Sequence, residues 1–168
     1  MKYFYISKNN ILNKVAHNDD SHLKISNCVK LENQSSFALI MCSAFGGDYP
    51  VSDVEPDSRQ PGSSLKRFLV LYSNNQAVAC ARYLKLINNS GESYIILCDL
   101  GVKKELQGKG LGQKMFSRRI LYIIKNEEFS HVFSEIEDDN YASIAISKKF
   151  GLKNVTDSKF IYQFPEIN

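Results

Sequence analysis

Leu100-Gly-Val-Lys-Lys-Glu-Leu-Gln-Gly-Lys-Gly-Leu-Gly112 is the stretch on which the reading of this chain turns. Gly108, Gly110 and Gly112 fall at alternate positions between an apolar run that reads as a strand and an amphipathic run that reads as a helix. Without Cβ atoms the backbone curls tightly and lets a ligand come close. The first N–H groups of a helix have no internal acceptor, and the helix dipole adds positive potential there, so phosphate oxygens are natural partners. Lys109 adds charge, whereas Lys103 and Lys104 are as readily solvated surface residues. The spacing excludes two familiar phosphate loops. A dinucleotide fingerprint needs a third glycine where Gln113 stands. A Walker loop needs glycine at Lys103, and a Ser or Thr after Lys109. Spacing alone leaves two readings open, a connecting turn and an anion cradle.

Outward from the loop, the preceding residues read as consecutive strands, Phe68 to Tyr72, Ala77 to Ile87 and Tyr94 to Val102, joined by Asn-rich turns at residues 73–75 and 88–91. Such turns between β-prone runs predict an antiparallel meander. After Gly112 the period changes. Met115, Phe116, Arg119, Ile120, Ile123 and Ile124 share one helical stripe, and Arg119 is expected to keep its head in water. His131 to Ile136 reads as a short strand, Asn140 to Lys149 as a helix stopped by Gly151, and Phe160 to Phe164 as a last strand. Upstream, Phe37, Ala38, Ile40, Met41 and Ala44 predict a helix over Glu32 to Ala44. Phe45 to Ser64 holds three of the four prolines and three of the nine glycines, which makes it a long loop. Residues 1–30 specify no element, since the alternation from Tyr3 to Ile6 is too brief.

The whole is a mixed α and β pattern, expected to form a single domain over residues 1–168, because a chain this long buries roughly 68–70% of its surface without a staple. With 21 Lys plus Arg against 18 Asp plus Glu, the charge of +3 is too small to point to nucleic acid. Cys28, Cys42, Cys80 and Cys98 lie far apart, so they predict reduced thiols and no structural metal. No run of about 18 apolar residues predicts a membrane span, and the N-terminal apolar stretch is too short for a signal peptide. The expected location is cytoplasmic.

Gln107-Gly-Lys-Gly-Leu-Gly112 resembles the Gln/Arg-x-x-Gly-x-Gly/Ala motif of the GCN5-related N-acetyltransferases, the GNAT family. Downstream, Asn140-Tyr-Ala-Ser-Ile-Ala-Ile-Ser-Lys-Lys-Phe-Gly-Leu152 is similar to the family's second signature. The resemblance covers roughly residues 65–164. It implies a GNAT-like acyl-CoA N-acyltransferase fold: a central, mostly antiparallel sheet flanked by helices, with two parallel strands that splay apart. It further implies acetyl-CoA as cosubstrate and an amine acceptor, either a small molecule or a protein, with no metal, no nucleic acid, no membrane, and a homodimer as a common assembly. By resemblance, Gln107, Gly108, Lys109, Gly110, Leu111 and Gly112 bind the pyrophosphate. The backbone of Leu100, Gly101 and Val102 pairs with the pantetheine arm, and Asn140 touches it. Asn140 is equally suited to cap a helix.

Direct attack by an amine needs a base, because an alkyl ammonium has a pKa of about 10.4. Two carboxylates compete for that role by resemblance, Glu135 and Asp99, either directly or through water. Glu135 as readily faces solvent, and Asp99 as readily pairs with a cation. Where many members carry the tyrosine that protonates the departing thiolate, this chain has Ser147. Tyr141 is badly placed around the helix, and Tyr162 is a further candidate donor. Ser147 therefore keeps a second reading open, an acyl-CoA-binding module with little turnover that acts as a sensor or interaction subunit. Asp48, Asp53, Glu55 and Asp57 in the long loop suit a cationic acceptor or plain solvation, and Arg82, Tyr83 and Lys85 are candidates for the acceptor side.

Overall fold

The computed structural model describes residues 1–15, 21–54 and 65–156. In chain order the elements are β1 (Lys2–Ser7), α1 (Lys8–Val15), β2 (Leu23–Asn27), α2 (Leu31–Phe45), β3 (Leu65–Ser73), β4 (Gln76–Ile87), β5 (Ser93–Val102), α3 (Leu111–Asn126), β6 (His131–Ile136), α4 (Tyr141–Lys149) and β7 (Lys153–Asn154). The strands form one mixed sheet in the order β2-β3-β4-β5-β6-β1-β7. The expected meander is β3-β4-β5. Its first hairpin turns on Asn74 and Asn75, both at positive φ (49° and 63°), the left-handed pair that a tight two-residue hairpin requires.

Both faces of the central strands are covered, which is why β3 reads as an unbroken apolar run rather than an alternation. Leu69 and Leu71 turn to the face packed by Met115, Phe116, Ile120 and Ile123 of α3. Phe68 and Val70 turn to the other, under Phe37, Ala38, Ile40 and Met41 of α2. Burying each of these leucine, isoleucine, valine, methionine and phenylalanine side chains contributes roughly 1.5–3 kcal/mol. At the end of α4, Gly151 takes φ +83°, and its N–H donates to the Lys148 carbonyl at 3.0 Å, the left-handed stop that the sequence predicts.

Two features shape the sheet's open end. β5 and β6 run parallel, but they pair only from Tyr94 opposite His131 to Leu97 opposite Ser134. Beyond that β5 continues to Val102 and β6 to Ile136 without pairing to each other. At the same level the β4–β5 register shifts: Ala81 faces Leu100 and Tyr83 faces Leu97, so Cys98 and Asp99 together oppose Arg82. This is a β-bulge, which bends a strand and increases its twist, and it sits where the two strands part.

Arg119 corrects one expectation. Its guanidinium does not reach water: the residue is 2% exposed, with Nη1 donating to the carbonyls of Cys98 (2.9 Å), Arg82 (3.0 Å) and Asp99 (3.4 Å). The three carbonyls lie at the bulge, and the cation that binds them lies 5.3 Å from the centroid of the Phe116 ring. The N-terminal region, unspecified by sequence, holds β1, α1 and β2. β1 lies inside the sheet, antiparallel to both β6 and β7. The expected strand Phe160 to Phe164 lies outside the described residues.

Candidate active site

Where β5 and β6 diverge, two cavities open side by side and share Phe45, Leu100, Asn140, Ser143 and Ile146 as a common wall. The larger, about 610 Å³, is bordered by Gly101, Val102, Gln107, Gly108, Gly110, Leu111 and Gly112. Gly108 and Gly110 adopt φ +76° and +78°, a conformation that strains any residue with a Cβ, and a Cβ on either would meet no atom within 4 Å. The space above them is therefore open. Gly110 is the N-cap of α3 and offers no side-chain cap to the first helical turn. Alternating left-handed glycines ahead of an uncapped helix make a concave nest of N–H groups suited to an anion. Gln107 Nε2 donates to the Val102 carbonyl at 3.1 Å and braces the loop against the strand end. Lys109 stands apart from the cavity wall, its ammonium donating to the Glu105 carbonyl at 3.3 Å.

Gly101 and Gly112 have a different reason to be glycine. A Cβ on Gly101 would stand 3.3 Å from Ala44 Cβ and from Phe45 Cε2, and one on Gly112 would stand 3.3 Å from Ile146 Cδ1. Side chains of α2 and α4 thus pack directly on the backbone of the strand end and of the α3 start around the cleft. The geometry fits a diphosphate over the loop and an extended arm along the edge of β5 from which β6 has parted.

The smaller cavity, about 360 Å³, brings together Asp99, Glu135, Ser147, Arg82 and Arg119. Asp99 Oδ2 lies 2.9 Å from Arg82 Nε. Glu135 is exposed, and its Oε1 accepts from the Tyr3 hydroxyl at 3.2 Å. Partial burial, and then the Glu135 carboxylate, hold that phenol above its ordinary pKa. Ser147 is 1% exposed, so it is an inward residue of the cavity wall and not a surface one. Tyr141 points away, 76% exposed, and Tyr162 lies outside the described residues. Asn140 borders both cavities and also caps α4, its Oδ1 accepting from Ser143 N at 3.1 Å.

Of the three candidates on β4, only Arg82 reaches this cavity. Tyr83 and Lys85 alternate onto the buried side, where Tyr83 donates to Glu127 at 2.9 Å and Lys85 lies 3.3 Å from the same carboxylate. Asp48 and Asp53 border neither cavity, and Glu55 and Asp57 lie outside the described residues. Sequence reasoning missed Tyr3, Glu137 and the inward turn of Arg119. Cys98 also borders the cavity, its thiol pushed up chiefly by burial. Among the described residues no group of His, Cys, Asp and Glu has the arrangement of a metal site, and no helix is long and apolar enough to cross a membrane.

The sequence profile of the Acetyltransferase (GNAT) family matches residues 35–152. No curated protein matches the sequence. Solved structures share the fold. An aminoglycoside acetyltransferase from an uncultured soil metagenomic sample, in complex with trehalose, superposes with a TM-score of 0.58 at 16% identity, covering 80% of this chain and 90% of that one. A ribosomal-protein alanine N-acetyltransferase from Escherichia coli gives 0.56 at 19% identity, covering 77% and 76%. A GCN5-related N-acetyltransferase from Kribbella flavida gives 0.62 at 14% identity, covering 91% of this chain and 53% of that one. With its profile match, its bulged and splayed parallel strands and its glycine loop, the chain belongs to the GNAT acetyltransferase family.

Proposed function

We propose that the protein is an acetyl-CoA-dependent N-acetyltransferase that acts on a primary amine of a small molecule, peptide or protein. The observation that carries this reading is the meeting of two cavities at the strand divergence: a glycine nest borders one, and the carboxylates Asp99, Glu135 and Glu137 border the other. Bound acetyl-CoA supplies the activated acyl carbon. Main-chain N–H groups from Gly108 to Gly112 hold the diphosphate, which requires no magnesium. Leu100, Gly101 and Val102 offer an unpaired strand edge to the pantetheine arm, and Asn140 stands between the two halves of the cleft.

Glu135 is the better candidate for the base. Asp99 is engaged by a guanidinium at 2.9 Å, whereas among the described residues Glu135 is held by a phenol alone and remains open to an incoming ammonium. Similarity to an aminoglycoside acetyltransferase and to a ribosomal-protein alanine acetyltransferase supports an amine acceptor in general and favours neither class. Purified protein with acetyl-CoA and a panel of polyamines, aminoglycosides and peptides bearing free α- or ε-amines, read by thiol release, tests the proposal. Acceptor-dependent release supports it. Tight acetyl-CoA binding without release by any acceptor assigns an acyl-CoA-binding module, the reading that Ser147 keeps in play. Absence of binding rejects both.

A further inference from the structure

Arg119 is a buried ion that the reaction as outlined does not use. It projects from the middle of α3 into the wall of the smaller cavity and, among the described residues, has no carboxylate in direct contact. Among the described residues its hydrogen-bond partners are three main-chain carbonyls, and its Nε has none. Burying a guanidinium against carbonyls alone is costly, and an apolar side chain on this stripe would suffice for packing. Charge is therefore the property to be explained.

The reaction creates a need for it. As the amine nitrogen's electron pair forms the new C–N bond, the C–S pair leaves on sulfur and the amine proton passes to a base, so negative charge builds where the thiol departs. A tyrosine acid would meet that charge with a proton, but Ser147 borders this cavity instead, and a serine hydroxyl is a far weaker acid than a phenol. We propose that Arg119 is a positioning residue for acyl transfer: it fixes the bulged Cys98–Asp99 backbone through their carbonyls, and its charge lets the thiol depart as thiolate without an acid. The proposal rests on the acetyltransferase reading.

The surrounding charges leave that role to Arg119. Arg82 and Asp99 from β4 and β5 face each other at 2.9 Å and largely cancel. Glu135 and Glu137 at the β6 end are exposed, and the Met1 amine is engaged by Asp138 at 2.7 Å, so water and partners screen all three. Cys98 and, behind the bulge, Cys80 are thiols pushed up chiefly by burial, and are therefore neutral near pH 7. α4 contributes Ser143, Ile146 and Ser147, none of which carries charge. Burial lowers the Arg119 pKa to about 10, so the guanidinium stays charged across the neutral range.

The test is a titration of bound coenzyme A, followed by thiolate absorbance near 232 nm against the same protein loaded with desulfo-coenzyme A, which cancels the four cysteines. In the parent the bound thiol should titrate at least one pH unit below free coenzyme A in the same buffer. R119K, which keeps the charge, should retain most of that shift, and R119Q, which keeps a donor without charge, should return the thiol to its free value. R119Q should also lower kcat ten- to a hundredfold with less than a threefold change in the acetyl-CoA KM. A parental thiol that titrates at or above the free value overturns the proposal, even if R119Q does not fold. So does an equal shift in R119Q, or the free value in R119K. Calorimetric binding of coenzyme A is measured alongside: no binding rejects the acetyltransferase reading itself, whereas binding with an unshifted thiol rejects only the role of Arg119.

Discussion

The Tyr3 hydroxyl donates to Glu135 Oε1 across 3.2 Å, and the two residues face each other in register on neighbouring antiparallel strands. The carboxylate at the mouth of the smaller cavity is thereby held by the first strand of the chain. If Glu135 is the base, Glu135→Gln should lower kcat by about 10²–10⁴-fold at neutral pH. Tyr3→Phe should cost about tenfold, because it loosens the carboxylate without removing it. Neither should change the acetyl-CoA KM appreciably. Parental rates in Glu135→Gln would move the role to Asp99.

Gly110→Val places a branched side chain at φ +78°, in the open space over the glycine nest. The expected result is a rise of tenfold or more in acetyl-CoA KM, with destabilisation of about 1–2 kcal/mol from the left-handed backbone. Steady-state kinetics and thermal melting read the two effects separately. An unchanged KM in a folded variant would remove the cradle.

Ser147→Ala should leave kcat within about threefold, since an aliphatic hydroxyl contributes little as an acid at neutral pH. Ser147→Tyr is the complementary variant. It restores a phenol beside the smaller cavity, and faster turnover would mean that proton donation limits the parent. A large loss in Ser147→Ala would contradict the absence of a general acid at this position.

The His131 ring lies tilted against Tyr5, with centroids 5.3 Å apart, and its Nδ1 lies 3.4 Å from Glu92. Burial lowers its pKa, and Glu92 opposes this only in part. The unfolded chain therefore takes up a proton that the folded chain resists, and stability is lost as pH falls from about 6.5 through the lower folded value. Melting temperature should decline from pH 7.5 to pH 5.5, and His131→Asn should flatten that decline. Identical slopes in the two proteins would contradict it.

What the sequence disclosed and what it hid follow from the reach of local signals. The meander, α2, α3, β6, α4 and its Gly151 stop are written in apolar periodicity and turn residues, which act over a few positions. The glycine loop was legible because positive φ and close approach demand a residue without Cβ. β1 was not: a six-residue strand with Lys2 and Ser7 at its ends shows little pattern, and its place between β6 and β7 is set by partners more than a hundred positions away. Arg119 was misread for a related reason. Amphipathicity says that a charge on an apolar stripe should reach water, but a bulge on a distant strand supplied the carbonyls that keep it inside. Asp99 and Glu135 were visible as chemistry, yet only the fold shows that one is paired with Arg82 and the other is open.

The proposed chemistry depends on backbone N–H groups at the start of α3 gripping a diphosphate. Amide chemical shifts of the 15N-labelled protein, recorded with and without saturating acetyl-CoA, test this most directly. The largest changes should fall on Gly108, Lys109, Gly110, Leu111 and Gly112, with smaller ones along Leu100 to Val102. Saturable binding that leaves those amides unmoved would contradict it.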